Sequence, residues 1–226
     1  MILYSVMRGA IWWTAVTVIL CGLLLVNNAV YFDGGPTPRF LLEKGAWGRH
    51  PLWLTAFYFH VIGASVCLAA GMPLMFPRWT RRHPAWHRRL GRLYVNAVLW
   101  MAVPTGLAMA PVAKGGAWGA AGFALAGALW WATTWSGYRA IVRGDLAAHV
   151  RGMVRSYSLA LSAPIFRAIQ AVLFAGGLDD ATNYLVSLWL SVAASLWLAE
   201  SCLGRRRSAA RDPAPASSPF HAGEPL

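Results

Sequence analysis

Long apolar runs, each closed by Arg, Gly, Pro or Asp, divide the chain into six windows: 11–32, 53–76, 93–112, 117–138, 157–178 and 184–203. Within them apolar and polar residues do not alternate, as they would along barrel strands. Each is long enough to cross a hydrocarbon core, which takes about 20 helical residues for roughly 30 Å. The pattern predicts an all-α integral membrane bundle of six transmembrane helices over residues 1–204. Residues 205–226 carry Pro213, Pro215, Pro219 and Pro225 without an apolar period, and read as a disordered cytoplasmic tail in which His221 is inert. The first window could be a secretory signal. However, its run outlasts the usual signal core and no small-x-small site follows, so it is read as a retained helix. The connection 33–51 combines Gly34, Gly35, Pro36 and Pro38 with Phe40, Leu41 and Leu42, which predicts an outer loop with a short interfacial piece.

Composition narrows the class. Hydrophobic residues make up 58% and charged residues 12%, with a mean hydropathy of +0.47. A soluble domain carries about 25% charged residues to keep its surface wet. Three Cys cannot staple a chain of this length as a disulfide framework. The net charge of +12 would suggest nucleic acid in a soluble protein. Here the basic residues cluster at helix ends, where they match anionic headgroups, and no nucleic-acid partner is expected. Arg78, Arg81, Arg82, Arg88, Arg89 and Arg92 lie between the second and third windows. Arg139, Arg143, Arg151 and Arg155 lie between the fourth and fifth, Arg8 precedes the first, and Arg205, Arg206, Arg207 and Arg211 follow the last. The positive-inside rule then places both termini and these two connections in the cytoplasm of a cell (inner) membrane, in agreement with an even number of spans.

Intramembrane charge and imidazole mark the candidate chemistry. Arg167 falls near the middle of the fifth window, where a charge costs about 2.5–3.5 kcal/mol on insertion scales. It must face the bundle interior, a watery cavity or a buried anion, or bond to backbone carbonyls. Pro164, just before it, frees a carbonyl near Ala160. In the second window, His60 shares a helix face with Gly63, Cys67 and Gly71, small residues that admit a neighbouring helix. His60 therefore points into the bundle, as a ligand, a relay or a cross-helix hydrogen-bond partner. Arg167 is expected about one turn deeper and could share a cavity with it.

A quasi-repeat opens the third and fifth helices. His87 is followed by Arg89, Arg92 and Tyr94, and His149 by Arg151, Arg155 and Tyr157, one inserted residue aligning the two. Paired hairpins would bring His87 and His149 together, an arrangement that can ligate haem b. Alternatively, these His are interfacial residues at headgroup level. His83 and His87 are four apart, but Pro84 should begin the helix and leave His83 outside as its cap. No other metal ligands are expected. Arg88, Arg92, Arg151 and Arg155 are candidates for lipid or anion binding. Trp12, Trp13, Trp53, Trp79, Trp86 and Trp118 fall near predicted interfaces, whereas Trp130, Trp131 and Trp135 read as core packing. Phosphate loops and hydrolase motifs are missing from the sequence, and with no mid-membrane acid a carboxylate-driven pump is not expected.

The combination of Phe59-His60, then His87-Arg88-x-x-Gly91-Arg92-x-Tyr94-Val95, Trp130-x-x-Thr133-Thr134, His149-x-Arg151-x-Met153-x-Arg155-Ser156-Tyr157 and Arg167 resembles the bacterial predicted-membrane-protein family known as domain of unknown function 2306, over roughly residues 53–178. The resemblance implies a multi-helix membrane fold with these His and Arg positions shared, and no specific activity. Val150 stands where the family pattern has Arg after the His. In outline the His-bearing helices are also similar to membrane b-type cytochromes, at the level of fold analogy. Three functions follow as expectations. One is a His-ligated haem or metal redox protein, with Arg167 offsetting propionate charge. Another is a carrier or enzyme holding a quinone, lipid or small anion between His60 and Arg167. The last is a non-catalytic membrane assembly protein.

Overall fold

The computed structural model describes residues 2–211, with side chains for most of residues 15–204. The side chains of Arg8, Trp12, Trp13, Arg205, Arg206, Arg207 and Arg211 lie outside the described residues, as does the expected tail beyond Arg211 with His221. The described chain is helical throughout, with no strand. Helix α1 spans Ile2–Ala29, and the first long connection folds into α2 (Arg39–Glu43) and a 3-10 turn at Trp47–Arg49. Next come α3 (Pro51–Leu74), α4 (Pro77–Arg82) and α5 (Pro84–Asn96), which runs through a π turn at Ala97–Ala102 into α6 (Val103–Met109). After α7 (Gly116–Val142), α8 (Leu146–Ala160) and α9 (Ser162–Ala175) form one interrupted rod, and α10 covers Asp180–Arg211.

Six long helical stretches thus occupy the six apolar windows. Four are long and apolar enough to cross a membrane: Pro51–Leu74, Pro84–Val112, Leu146–Ala175 and Asp180–Gly204. As long as these, α7 is rich in Gly and Trp, which contribute little hydropathy. In α1 the apolar described part is Thr17–Ala29. Val26, Trp100, Val172, Phe174 and Trp197 are each at least 70% exposed. So much outward apolar surface suits lipid rather than water. Helix α10 stays helical to Arg211, past the point at which the sequence suggested disorder.

Proline and glycine set the boundaries. Pro51 and Pro84 each occupy a first turn, where the missing N–H costs nothing, and His83 is the residue before α5. Pro164 cannot donate to the carbonyl of Ala160, and the rod breaks there, with Leu161 between α8 and α9. The α7–α8 turn is a glycine cap. Gly144 has φ +81°, its N–H bonds Ile141 O, and Asp145 N–H bonds Ala140 O. Asp145 then caps α8 by accepting from Ala148 N–H at 2.8 Å.

The core forms where small residues let helices meet. A Cβ on Gly63 would stand 3.0 Å from Ala102 N, and one on Gly71 would lie 2.5 Å from the Tyr157 ring. Between α7 and α8, which pack most extensively of all, a Cβ on Gly152 would come within 2.6 Å of Gly137 Cα. Tyr94 and Tyr157, equivalent positions in the quasi-repeat, are both buried at the centre, with ring centroids 6.3 Å apart.

Candidate functional site

One cavity of about 300 Å³ occupies the half of the bundle that carries the Asp33–His50 connection. His60 enters it from α3. The π turn opposite leaves Ala102 O within 2.7 Å of His60 Nδ1, and Gly106 provides the slot, since a Cβ there would stand 2.9 Å from Nδ1. A carbonyl only accepts, so the proton must sit on Nδ1. In the neutral imidazole Nε2 is then a hydrogen-bond acceptor on a residue that lines the cavity. The cross-helix bond and the cavity-facing acceptor are thus two properties of one side chain.

Arg167 lines the same cavity. It is exposed rather than interior. Nη1 donates to Gln170 Oε1 at 3.0 Å, and the guanidinium lies 5.5 Å from the Phe166 ring. Tyr31 and Tyr184 are within its electrostatic reach. Lys44, from the connection between α2 and α3, is a second cation in the lining that sequence reasoning missed. Its Nζ donates to Val112 O at 2.7 Å and sits 5.2 Å from the Phe40 ring. Burial pushes the Lys44 ammonium below the ordinary lysine range. Neighbouring Glu43 opposes that shift and Lys114 adds to it. Lys114 itself pairs with Asp180.

Trp53 departs from expectation in an informative way. Read from sequence as an interface residue, it is 6% exposed, stacks on Phe57 and lines the cavity. Its indole N–H is buried without a hydrogen-bond partner. An orphan buried donor costs about 1–3 kcal/mol. The lining contains no Asp or Glu. Aromatic walls, an imidazole and two cations therefore surround a single space.

Below the cavity lies a closed polar ring. Trp130 Nε1 donates to Tyr94 OH at 3.3 Å, Tyr94 OH meets Ser156 Oγ at 2.8 Å, Ser156 meets Thr134 Oγ1 at 2.6 Å, and Thr134 donates back to Trp130 O at 2.7 Å. Because Thr134 spends its proton on a carbonyl, Ser156 donates to Thr134 and Tyr94 donates to Ser156. Each proton in the ring has one direction, which makes it a lock for the core. Trp130 fits the packing expectation only in part, since it also faces the cavity. Trp131 and Trp135 stack on each other at 5.6 Å, with Trp131 37% exposed.

At the Arg-rich end, His87 and His149 interact electrostatically. His149 Nδ1 donates to Gly137 O at 2.9 Å, which leaves its Nε2 as an acceptor. His87 Nδ1 is buried and unpartnered. No group of three or more His, Cys, Asp or Glu able to hold a metal occurs among the described residues. The four Arg named from sequence separate. Arg151 and Arg155 line a groove between α7 and α8 with Arg143, which sequence reasoning counted only toward orientation. Arg88 and Arg92 are exposed on α5 and do not line it.

Neither the curated proteins nor the solved structures yield a significant match to this chain. Residues 57–203, more than half of its length, match the family described as Predicted membrane protein (DUF2306). Every residue of the sequence motifs from Phe59 to Arg167 falls inside that match. The chain is therefore a membrane protein with several apolar helices, and it belongs to the DUF2306 family.

Proposed function

We propose that this protein binds the polar head of an amphiphile, a quinone or an anionic lipid, inside the membrane, as a carrier or an enzyme. The observation that carries the reading is the convergence of His60, Arg167 and Lys44 on one acid-free, aromatic-walled cavity. A head rich in acceptor oxygens satisfies both cations. A hydroxyl on the same head donates to His60 Nε2. Chain or ring carbons lie against Phe57, Phe123 and Phe166.

In this reading six helices span a bacterial inner membrane, with both termini and the Arg-rich connections in the cytoplasm, so the cavity opens in the outer half. The test is native mass spectrometry of the purified chain, followed by titration with decylubiquinol and with oleoyl lysophosphatidic acid. One of them should bind, and R167Q or K44Q should weaken it. Equal, weak retention of both by all three proteins would overturn the proposal.

A second reading, haem ligation by His87 and His149, is favoured by the His149–Gly137 bond, which orients a ring nitrogen as ligating imidazoles require. A reduced-minus-oxidised spectrum of protein supplied with haem decides it, since a Soret band lost in H87A and H149A is required.

A further inference from the structure

The groove between α7 and α8 is separate from the cavity and carries different chemistry. It measures about 210 Å³ and is lined by Arg143, Arg151, Arg155, Thr133 and Ser136, with no acidic residue in its wall. Its shape follows from the glycine-capped turn and the Gly137–Gly152 approach described above. The turn delivers Arg143 at the end of α7, directly opposite Arg151 and Arg155, which sit one turn apart on α8. Arg155 donates to Glu200 at 2.6 Å. Arg143 and Arg151 have no anionic partner among the described residues. Ser136 donates to Thr133 O and Thr133 to the carbonyls of Leu129 and Trp130, so both hydroxyls are held within their own helix.

The geometry points to a phosphate site: Arg143 and Arg151 bind a phosphoryl oxygen pair in this groove, with Arg155, braced by Glu200, closing one side. Guanidinium forks match phosphate geometry in a way that a scattered surface charge does not. Basic pockets between membrane helices at the cytoplasmic level hold the headgroups of anionic lipids. A lipid phosphodiester and a free phosphate share this chemistry.

The experiment titrates the detergent-purified full chain with dioleoyl phosphatidylglycerol, dioleoyl phosphatidylcholine and inorganic phosphate, read by native mass spectrometry. Phosphatidylglycerol should bind better than phosphatidylcholine. The double variant R143Q/R151Q should lose that affinity by about tenfold or more, given charge-assisted bonds of this kind. R88Q/R92Q, outside the groove, should change it by less than about twofold. Inorganic phosphate bound with the same Arg143 and Arg151 dependence assigns the site to a soluble phosphate; phosphatidylglycerol alone assigns it to lipid. Unchanged binding of both in R143Q/R151Q overturns the proposal, as does an equal loss in R88Q/R92Q, which would reveal a diffuse basic field. Should R143Q/R151Q fail to fold, S136D decides: it places a negative charge in the groove, and undiminished binding by that variant is equally fatal.

Discussion

His60 shows how one side chain can serve stability and binding through different atoms. Asparagine presents an amide N–H near the position of Nδ1 but nothing in place of Nε2. H60N should therefore keep the bond to Ala102 O and melt close to the parent, while binding of the cavity ligand falls. H60A should lose both, at about 1 kcal/mol for the hydrogen bond alone. Thermal melts and titrations on the two variants separate these outcomes; equal binding by H60N and parent would remove Nε2 from the site. Lys44 gives a pH prediction. Its ammonium deprotonates below the ordinary lysine value of 10.5, so anion affinity should weaken as pH rises through that lowered value. K44R, charged throughout, should flatten the profile. The His60 and Arg167 positions were legible in the sequence because polar groups inside apolar windows stand out. Lys44 and Trp53 were not. They lie in a loop and at a helix start, where such residues are common, and only folding brings them to the cavity.

At the scale of elements, proline and glycine carried most of the readable information. Pro84 marked a helix start from sequence alone, and it stands in the structure; Pro164 was read as freeing a carbonyl near Ala160 within one continuous span, and the structure breaks the rod there. The face of Gly63, Cys67 and Gly71 was readable too, since small residues at helical spacing have few other uses in a membrane. Gly71 sits against both central tyrosines, at 2.5 Å for Tyr157 and 3.0 Å for Tyr94 from an added Cβ. G71A should thus be destabilised by about 1–3 kcal/mol through overpacking, read as a lowered melting temperature in detergent. The π turn was not legible: one extra residue in a turn leaves no signature in an apolar run. Likewise the polar ring of Trp130, Tyr94, Ser156 and Thr134 needs residues from three helices, and no single window contains it.

For the whole molecule, hydrophobic windows located every long helix, because backbone groups in lipid must bond within their own segment. Window length could not by itself separate a spanning helix from a long packed one, and α7 is the example. Orientation makes a direct prediction. With single cysteines introduced at Thr37 and at Ser136 in a background cleared of native Cys, a membrane-impermeant thiol reagent added to intact cells should label Thr37→Cys and spare Ser136→Cys. The reverse pattern would invert the proposed topology, and labelling of both would break the span count between them. The quasi-repeat also gains content at this scale. Its paired tyrosines, Tyr94 and Tyr157, meet across the bundle.

The π turn at Ala97–Ala102 has a further consequence. Val103 N–H reaches back to Val98 O, five residues away, so the segment holds one residue more than an α-helix would. Were that turn to tighten into continuous α-helix with all its residues kept, everything beyond it would rotate by about 100°. Gly106 would swing out from beneath the imidazole, and Thr105 or Leu107 would come round toward it. The membrane span would survive such a tightening, and hydropathy would not change. The cavity would lose its His60 seat, so insertion and expression would be normal while ligand retention disappeared. Pocket shape in this protein is thus encoded partly as a phase offset between two halves of one helix.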